Sequence, residues 1–222
     1  MMLDEYLPFW NRLTERQRAL LKEKAKEASF EKGMLVHGGA DGCSGLLLVT
    51  SGQLRVYTIS DEGREMTLYR LLDRDICLFT GPCMVRNLQF DVMVEAEQDS
   101  KVCMIAPEVY KGLMEESAAV SNFTNELMAS RFSDVMWLMD QVLSKKMDGR
   151  LAAFLLEEAR LTGARELSIT HEQIARHLGT AREVVTRLLR MFQTDRLVKL
   201  TRGSVELLDE KGLEALAAAS LR

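Results

Sequence analysis

One run constrains this chain more than any other: "LSITHEQIARHLGTAREVVTRLLRMFQTDRLVKLTRGSVELLD", from Leu167 to Asp209. Counted from His171 as position one, Ala175 falls at five, Gly179 at nine, Val185 at fifteen and Leu188 at eighteen. Two helices that cross closely need a small residue at five. The reversal between them needs glycine, or a residue tolerant of positive φ, at nine. Apolar residues at fifteen and eighteen bury the second helix on the first, and Ile174, Leu178 and Leu189 complete that face. The run that follows, "RLVKLTRGSVELL", reads as two short strands turning at Arg202-Gly203. Together these features predict a helix-turn-helix with a β-hairpin wing.

The second helix then presents Arg182, Glu183, Thr186 and Arg187 where the first turns of a recognition helix enter the major groove. Arginine can bind guanine O6 and N7 through two hydrogen bonds, and glutamate can accept from cytosine N4. Thr170 and His171 open the preceding helix, where a hydroxyl and backbone N–H groups hold phosphate. An ordinary histidine is neutral or half-charged near pH 7. Arg202, at the wing turn, completes the expected DNA contacts. The net charge of −4 argues against a nucleic-acid partner, but residues 168–202 carry seven Lys or Arg against three acids. Local charge, not the total, governs attraction to phosphate.

The segment to about residue 106 is rich in strand signals. "GLLLVTSGQLRVYTI" breaks at Ser51-Gly52, and Asp61-Glu62-Gly63 separates two strand-like runs as a hairpin turn would. Before it, "LTERQRALLKEKAKEASF" has helical spacing behind Thr14, a candidate cap. From Pro107 to Lys146 the pattern predicts one long helix. Met128, Phe132, Val135, Met139 and Val142 are spaced 4, 3, 4, 3 along it. That seam is either the buried stripe of an intramolecular helix or a homodimer coiled coil, and the helix length favours the dimer. "GRLAAFLLEEARLTG" follows as an amphipathic helix ended by Gly163.

The expected fold class is α+β. An N-terminal antiparallel β-roll effector domain spans residues 1–116, a dimerisation helix 117–147, and a C-terminal winged helix-turn-helix 148–222. The start lacks the order of a signal peptide and no apolar run of membrane-spanning length occurs, so a cytoplasmic chain with no membrane partner is expected.

This three-part plan resembles the Crp/Fnr superfamily of bacterial transcription regulators. "EKGMLVHGGADGCSGLLLVTSGQLRVYTISDEGREMTLYRLL" is similar to the β-roll of the cyclic-nucleotide-binding fold, and "ITHEQIARHLGTAREVVTRLLRMFQ" to the DNA-binding motif. The resemblance implies a homodimer, double-stranded DNA with a two-fold symmetric operator, and RNA polymerase as partner. Its Arg-Glu-x-x-x-Arg helix, met here by Arg182, Glu183 and Arg187, implies half-sites of TGTGA type. Val184 departs from the Thr of cyclic-AMP-type members, and Glu172 places an acid near the DNA backbone.

Cyclic-nucleotide-binding members carry a Gly-Glu pair and an Arg-Ser/Thr-Ala triplet after the hairpin. The corresponding stretches here are "DRDICLF" and "NLQFDVMV", without either motif. Cyclic AMP is therefore not the expected effector. Cys77 and Cys83 take that place, with Cys103 and Cys43 on either side in sequence. Four thiols could hold an iron–sulfur cluster, and a close pair could form a reversible disulfide. Members with an oxygen-sensing cluster place its cysteines near the N-terminus, and the first 42 residues here hold none. His37 is the one candidate haem ligand in this half. The alternative reading of the thiols is small core hydrophobes, in a sensor domain that binds no ligand. A thiol-dependent enzyme is a further alternative, yet only His37 of three histidines lies outside the helix-turn-helix run and no catalytic triad or P-loop appears. The expectation is that the chain is not an enzyme.

Overall fold

A computed structural model describes residues 3–38, 45–78 and 92–219. They fall into two contact units, Met1–Ile59 with Leu68–Val135, and Ser60–Thr67 with Met136–Arg222.

The first unit opens with short 3-10 turns and helix α1 (Glu15–Lys24). Thr14 caps α1 in a reciprocal box with Gln17, as its side-chain chemistry suggests. Eight strands follow: β1 (Lys26–Phe30), β2 (Leu35–Gly38), β3 (Leu46–Ser51), β4 (Leu54–Ile59), β5 (Glu65–Leu71), β6 (Ile76–Cys77), β7 (Met93–Ala96) and β8 (Ser100–Ile105). They form two four-stranded sheets, ordered β1-β8-β3-β6 and β2-β7-β4-β5. The pairs β1–β8, β2–β7, β3–β6, β3–β8 and β4–β7 are antiparallel, as expected of a β-roll. Gly52 and Gly63 take φ of 92° and 76° at the β3–β4 and β4–β5 turns, where the sequence placed them.

Strand β3 explains how the unit is layered. Its run Leu46-Leu47-Leu48-Val49 is buried throughout, because both of its faces are covered. Leu47 and Val49 join Leu54, Val56, Val94 and Val102 in a core shared by the two sheets. Leu46 and Leu48 face the other way, onto Leu7, Trp10, Leu21, Tyr110 and Val120 of the helical segments. Inside β4, Arg55 is only 1% exposed, yet it pairs with Glu95 at 3.1 Å and lies 4.0 Å from the Tyr57 ring centroid. A buried guanidinium is tolerated only with such partners.

The single helix expected over 107–146 is two helices. Helix α2 (Pro107–Glu116) ends at Ser117, which is extended at φ −131°, and α3 (Ala118–Ser144) begins beyond it. The break lets α3 fold beside α2, where the buried Tyr110 hydroxyl meets Thr124 Oγ1 at 2.8 Å. Ser121 closes the corner by donating to the Met114 carbonyl at 2.6 Å. Buried hydroxyls need such partners, which the periodicity of the sequence does not reveal.

The second unit holds α4 (Met147–Thr162), β9 (Glu166–Leu167), α5 (His171–Leu178), α6 (Arg182–Thr194), β10 (Val198–Thr201), β11 (Ser204–Leu207) and α7 (Glu210–Ala218). Gly163 ends α4 at φ 66°. The hairpin β10–β11 pairs with β9, giving a three-stranded sheet. One core unites Leu151, Leu155, Ile174, Leu178, Val185, Leu189, Phe192, Val205 and Leu213.

Two glycines with positive φ, Gly45 and Gly63, give a stability test. Gly45 has φ +80°, and a Cβ there would collide with the Ile105 carbonyl. Gly63 has φ +76° with nothing within 4 Å. Gly63→Ala should cost about 1 to 2 kcal/mol, the left-handed penalty alone. Gly45→Ala adds a backbone collision and should cost about 3 kcal/mol or more. Urea unfolding of both variants measures the difference.

Candidate nucleic-acid interface

The two helices of the motif cross at Ala175, which is buried, and turn at Gly179, at φ 68°. The Ala175 carbonyl accepts from the Gly179 N–H and from the Thr180 N–H at 3.1 Å, closing α5. Thr170 caps α5 in a box with Gln173: its hydroxyl accepts from the Gln173 N–H at 3.2 Å, and Gln173 Oε1 accepts from the Thr170 N–H at 2.8 Å. That hydroxyl is therefore already occupied by the helix start.

Helix α6 buries Val185, Leu189 and Phe192 and exposes Arg182, Glu183 and Arg187. Thr186 is half-buried, one turn on from Arg182. Arg190 continues that row a further turn, exposed, and sequence reasoning left it out of the site; its i+4 spacing from Thr186 was the available signal. Among the described residues Arg182, Arg187 and Arg190 make no ion pair, so their charge stays available to an incoming polyanion. Arg202 is exposed at the β10–β11 turn, where the Thr201 and Ser204 hydroxyls bond to each other and Ser204 donates to Glu166 at 2.9 Å.

Two cations of the basic run serve other ends. Lys199 pairs with Glu206 across the wing at 3.0 Å. Arg176 places Nε and Nη2 each 2.9 Å from Glu65 Oε2 in the hairpin tip Ser60–Thr67, which belongs to this unit. Beside it, His177 Nδ1 lies 2.8 Å from the Thr67 hydroxyl, and a Cβ on Gly179 would sit 3.1 Å from Met66 Cβ. The tip thus supports the back of the motif. Nothing in the local sequence pairs residues this far apart.

His171 is held across the crossing: its Nδ1 lies 2.9 Å from Thr186 Oγ1. Burial first, then the charges of Arg182 and Arg190, lower its pKa from the ordinary 6.5. The folded state therefore favours the neutral ring. Its contribution to stability is present above pH 6.5 and lost as pH falls below that value through the lower folded pKa.

In the first unit, Cys77 and Cys103 are both buried free thiols. Leu47 stands opposite Cys77 on β6 and Met104 on β8, whereas Leu48 stands opposite Cys103. Alternation along the strands therefore sends the two thiols to opposite faces of the sheet. Cys77 lines the inter-sheet core and Cys103 the core under the helices. A cluster or disulfide that uses both is excluded, which corrects the four-thiol expectation. Cys83 and Cys43 lie outside the described residues. Burial and the neighbouring Glu27 carboxylate push the Cys103 thiol up to about 11, away from the reactive thiolate. His37, the candidate haem ligand, is buried in β2 at 5% exposed. Among the described residues no three His, Cys, Asp or Glu side chains gather as a metal site.

Cys77 has a polar setting that sequence reasoning missed. Its Sγ lies 3.9 Å from the Tyr69 hydroxyl, and the Arg131 guanidinium sits 4.8 Å from the Tyr69 ring centroid. Arg131, on α3, also pairs with Asp134 at 3.1 Å and with Asp75 at 3.6 Å. Burial, with Cys77 second, raises the Tyr69 pKa well above its ordinary value.

With this geometry in view, residues 149–216 match the family model of the Crp-like helix-turn-helix domain. A solved structure from Eubacterium rectale, of a protein assigned to the Crp/Fnr family, is 53% identical with a TM-score of 0.94; the match covers 97% of this chain and 100% of that one. The transcriptional activator protein Anr of Pseudomonas aeruginosa is 26% identical over 86% of this chain and 80% of its own length. The cyclic AMP receptor protein of Thermus thermophilus is 24% identical over 95% of this chain and 96% of its own. The chain belongs to the Crp/Fnr family of DNA-binding transcription regulators. No helix among the described residues is long and apolar enough to cross a membrane.

The electrostatics of the motif give a direct test. In the DNA-free protein His171 should titrate with a midpoint below 6.5, followed by its ring proton resonances. Arg182→Ala and Arg190→Ala should each raise that midpoint, and a midpoint unmoved by both would contradict the assigned cause.

Proposed function

We propose that this protein is a homodimeric, sequence-specific regulator whose signal is not a cyclic nucleotide. The outward row of α6 carries the DNA-binding part of this reading: Arg182, Glu183, Thr186 and Arg187, with Arg202 from the wing. Two such helices, one from each protomer, would read TGTGA-type half-sites about one helical turn apart, roughly 34 Å. The resemblance supplies the half-site and RNA polymerase as the partner at promoters, with action in the cytoplasm.

The dimer rests on a face of α3 that a monomer leaves open. Phe132, Trp137 and Leu143 are 68%, 58% and 64% exposed, and Met136, Met139 and Val142 are exposed with them. An apolar stripe of this kind on a regular helix favours a second copy of the same helix. The outermost row runs Phe132, Met136, Met139, Leu143. Of the seam anticipated from sequence, Val135 is half-buried and Met128 packs on the core of the first unit. Phe132→Glu should convert a dimer to a monomer in sedimentation equilibrium and remove cooperative operator binding. A wild-type protein that binds its operator while sedimenting as a monomer would overturn the dimer.

For the signal, the support is the missing phosphate-binding motif and the position of Cys77. The thiol ends β6, immediately before the segment where relatives hold their effector. It touches Tyr69, and Tyr69 lies under Arg131 of α3. A small ligand or an oxidation event at this segment would thereby reach α3 and alter the placing of the two recognition helices. An iron–sulfur cluster held by all four thiols does not fit the described geometry. Cys77→Ser with Cys83→Ser should abolish the response of operator binding to oxidants or ligand and leave half-site preference intact. A double variant that still responds like wild type would remove these thiols from the mechanism.

A further inference from the structure

We propose that His171 is a positioning residue for base reading: its ring sets whether the Thr186 hydroxyl meets DNA as an acceptor or as a donor. The proposal rests on α6 being the reading helix and deepens that assignment by one residue that lies on α5.

A threonine hydroxyl has one proton and two lone pairs. Here one of its directions is fixed, because His171 Nδ1 stands 2.9 Å from Thr186 Oγ1. Both residues are half-buried, and Thr186 lies on the same row as the exposed Arg182 and Arg190. When the neutral ring carries its proton on Nε2, Nδ1 accepts the Thr186 O–H. The oxygen then offers lone pairs outward, suited to an amino group such as cytosine N4 or adenine N6. When the ring is protonated, Nδ1–H donates to Thr186, and the hydroxyl proton turns outward. It then suits guanine O6 or N7, or thymine O4. One bond thus fixes the polarity of a side chain that would otherwise serve any base.

Charges around the ring decide which state prevails. Arg182 and Arg190 face it from α6, and Glu172 follows it in α5. Burial and the two arginines favour the neutral ring in the free protein, and the Nε2–H tautomer is the one that accepts from Thr186. DNA phosphate near the start of α5 acts in the opposite sense. The ring therefore ties base preference at one position to pH and to phosphate contact.

The test measures affinity for a set of duplexes, each with two TGTGA-type half-sites one turn apart, varied in turn at each base pair of the half-site. At pH 8 the wild-type protein should favour an amino-bearing base at one position by about 3- to 10-fold, the worth of one hydrogen bond. At pH 5.5 that preference should shrink or reverse. His171→Phe should remove both the preference and its pH dependence, while discrimination elsewhere in the half-site persists. Thr186→Val should remove the same preference with the histidine intact, and guards against a folding defect in the first variant. A His171→Phe protein that folds and keeps the wild-type preference at both pH values would overturn the proposal. An Arg187→Ala protein that binds every duplex as wild type does would instead overturn the assignment of α6 as the reading helix.

Discussion

The crossing of α5 and α6 at Ala175 and Gly179 is the constraint on which the interface depends. A small side chain at the crossing and a left-handed residue at the turn fix the axis of α6. Once that axis is fixed, the burial of Val185, Leu189 and Phe192 fixes its rotation. Arg182, Glu183 and Arg187 then have one direction left, into solvent. Their exposure follows from packing on the other side of the same helix. The hairpin tip at Glu65, Met66 and Thr67 reinforces this arrangement from behind, against Arg176, Gly179 and His177. Arg182, Arg187 and Arg190 thereby stay exposed, while Arg176 is engaged with Glu65.

Strand β3 is the corresponding constraint in the first unit. Covered on both faces, it separates two cores, and its neighbours β6 and β8 deliver Cys77 and Cys103 to different ones. Cys103 is a core thiol with a raised pKa. Cys77 is the thiol with polar company, through Tyr69 to Arg131 on α3. Arg131 thereby links the surroundings of Cys77 to α3, the helix with the exposed apolar row.

How legible each part was in sequence depended on the range of the interactions behind it. The helix cap at Thr14, the turns at Gly52, Gly63 and Gly163, and the spacing Ala175 to Gly179 are local, and their residues announced them, whereas the capping box of Thr170 was not anticipated. The break at Ser117 was not legible, because it is set by the Tyr110–Thr124 contact between helices rather than by any proline or glycine. Thiol partnership was equally hidden: sequence places Cys77 and Cys103 in one half of the chain, but only strand register shows that they face apart. The exposed arginines of α6 were legible from the helix-turn-helix spacing, while the Thr186–His171 and Arg176–Glu65 contacts join residues whose separation in sequence carries no signal.

The central claim, that α6 reads a two-fold operator, is tested most directly by selecting bound duplexes from a randomised DNA pool with the full-length protein. The account predicts an inverted repeat whose half-sites lie about one helical turn apart and carry guanines suited to Arg182 or Arg187. Repeating the selection with Arg187→Ala should relax the sequence at one guanine and leave the spacing unchanged. Enrichment of no sequence, or of an asymmetric site indifferent to Arg182 and Arg187, would contradict the account.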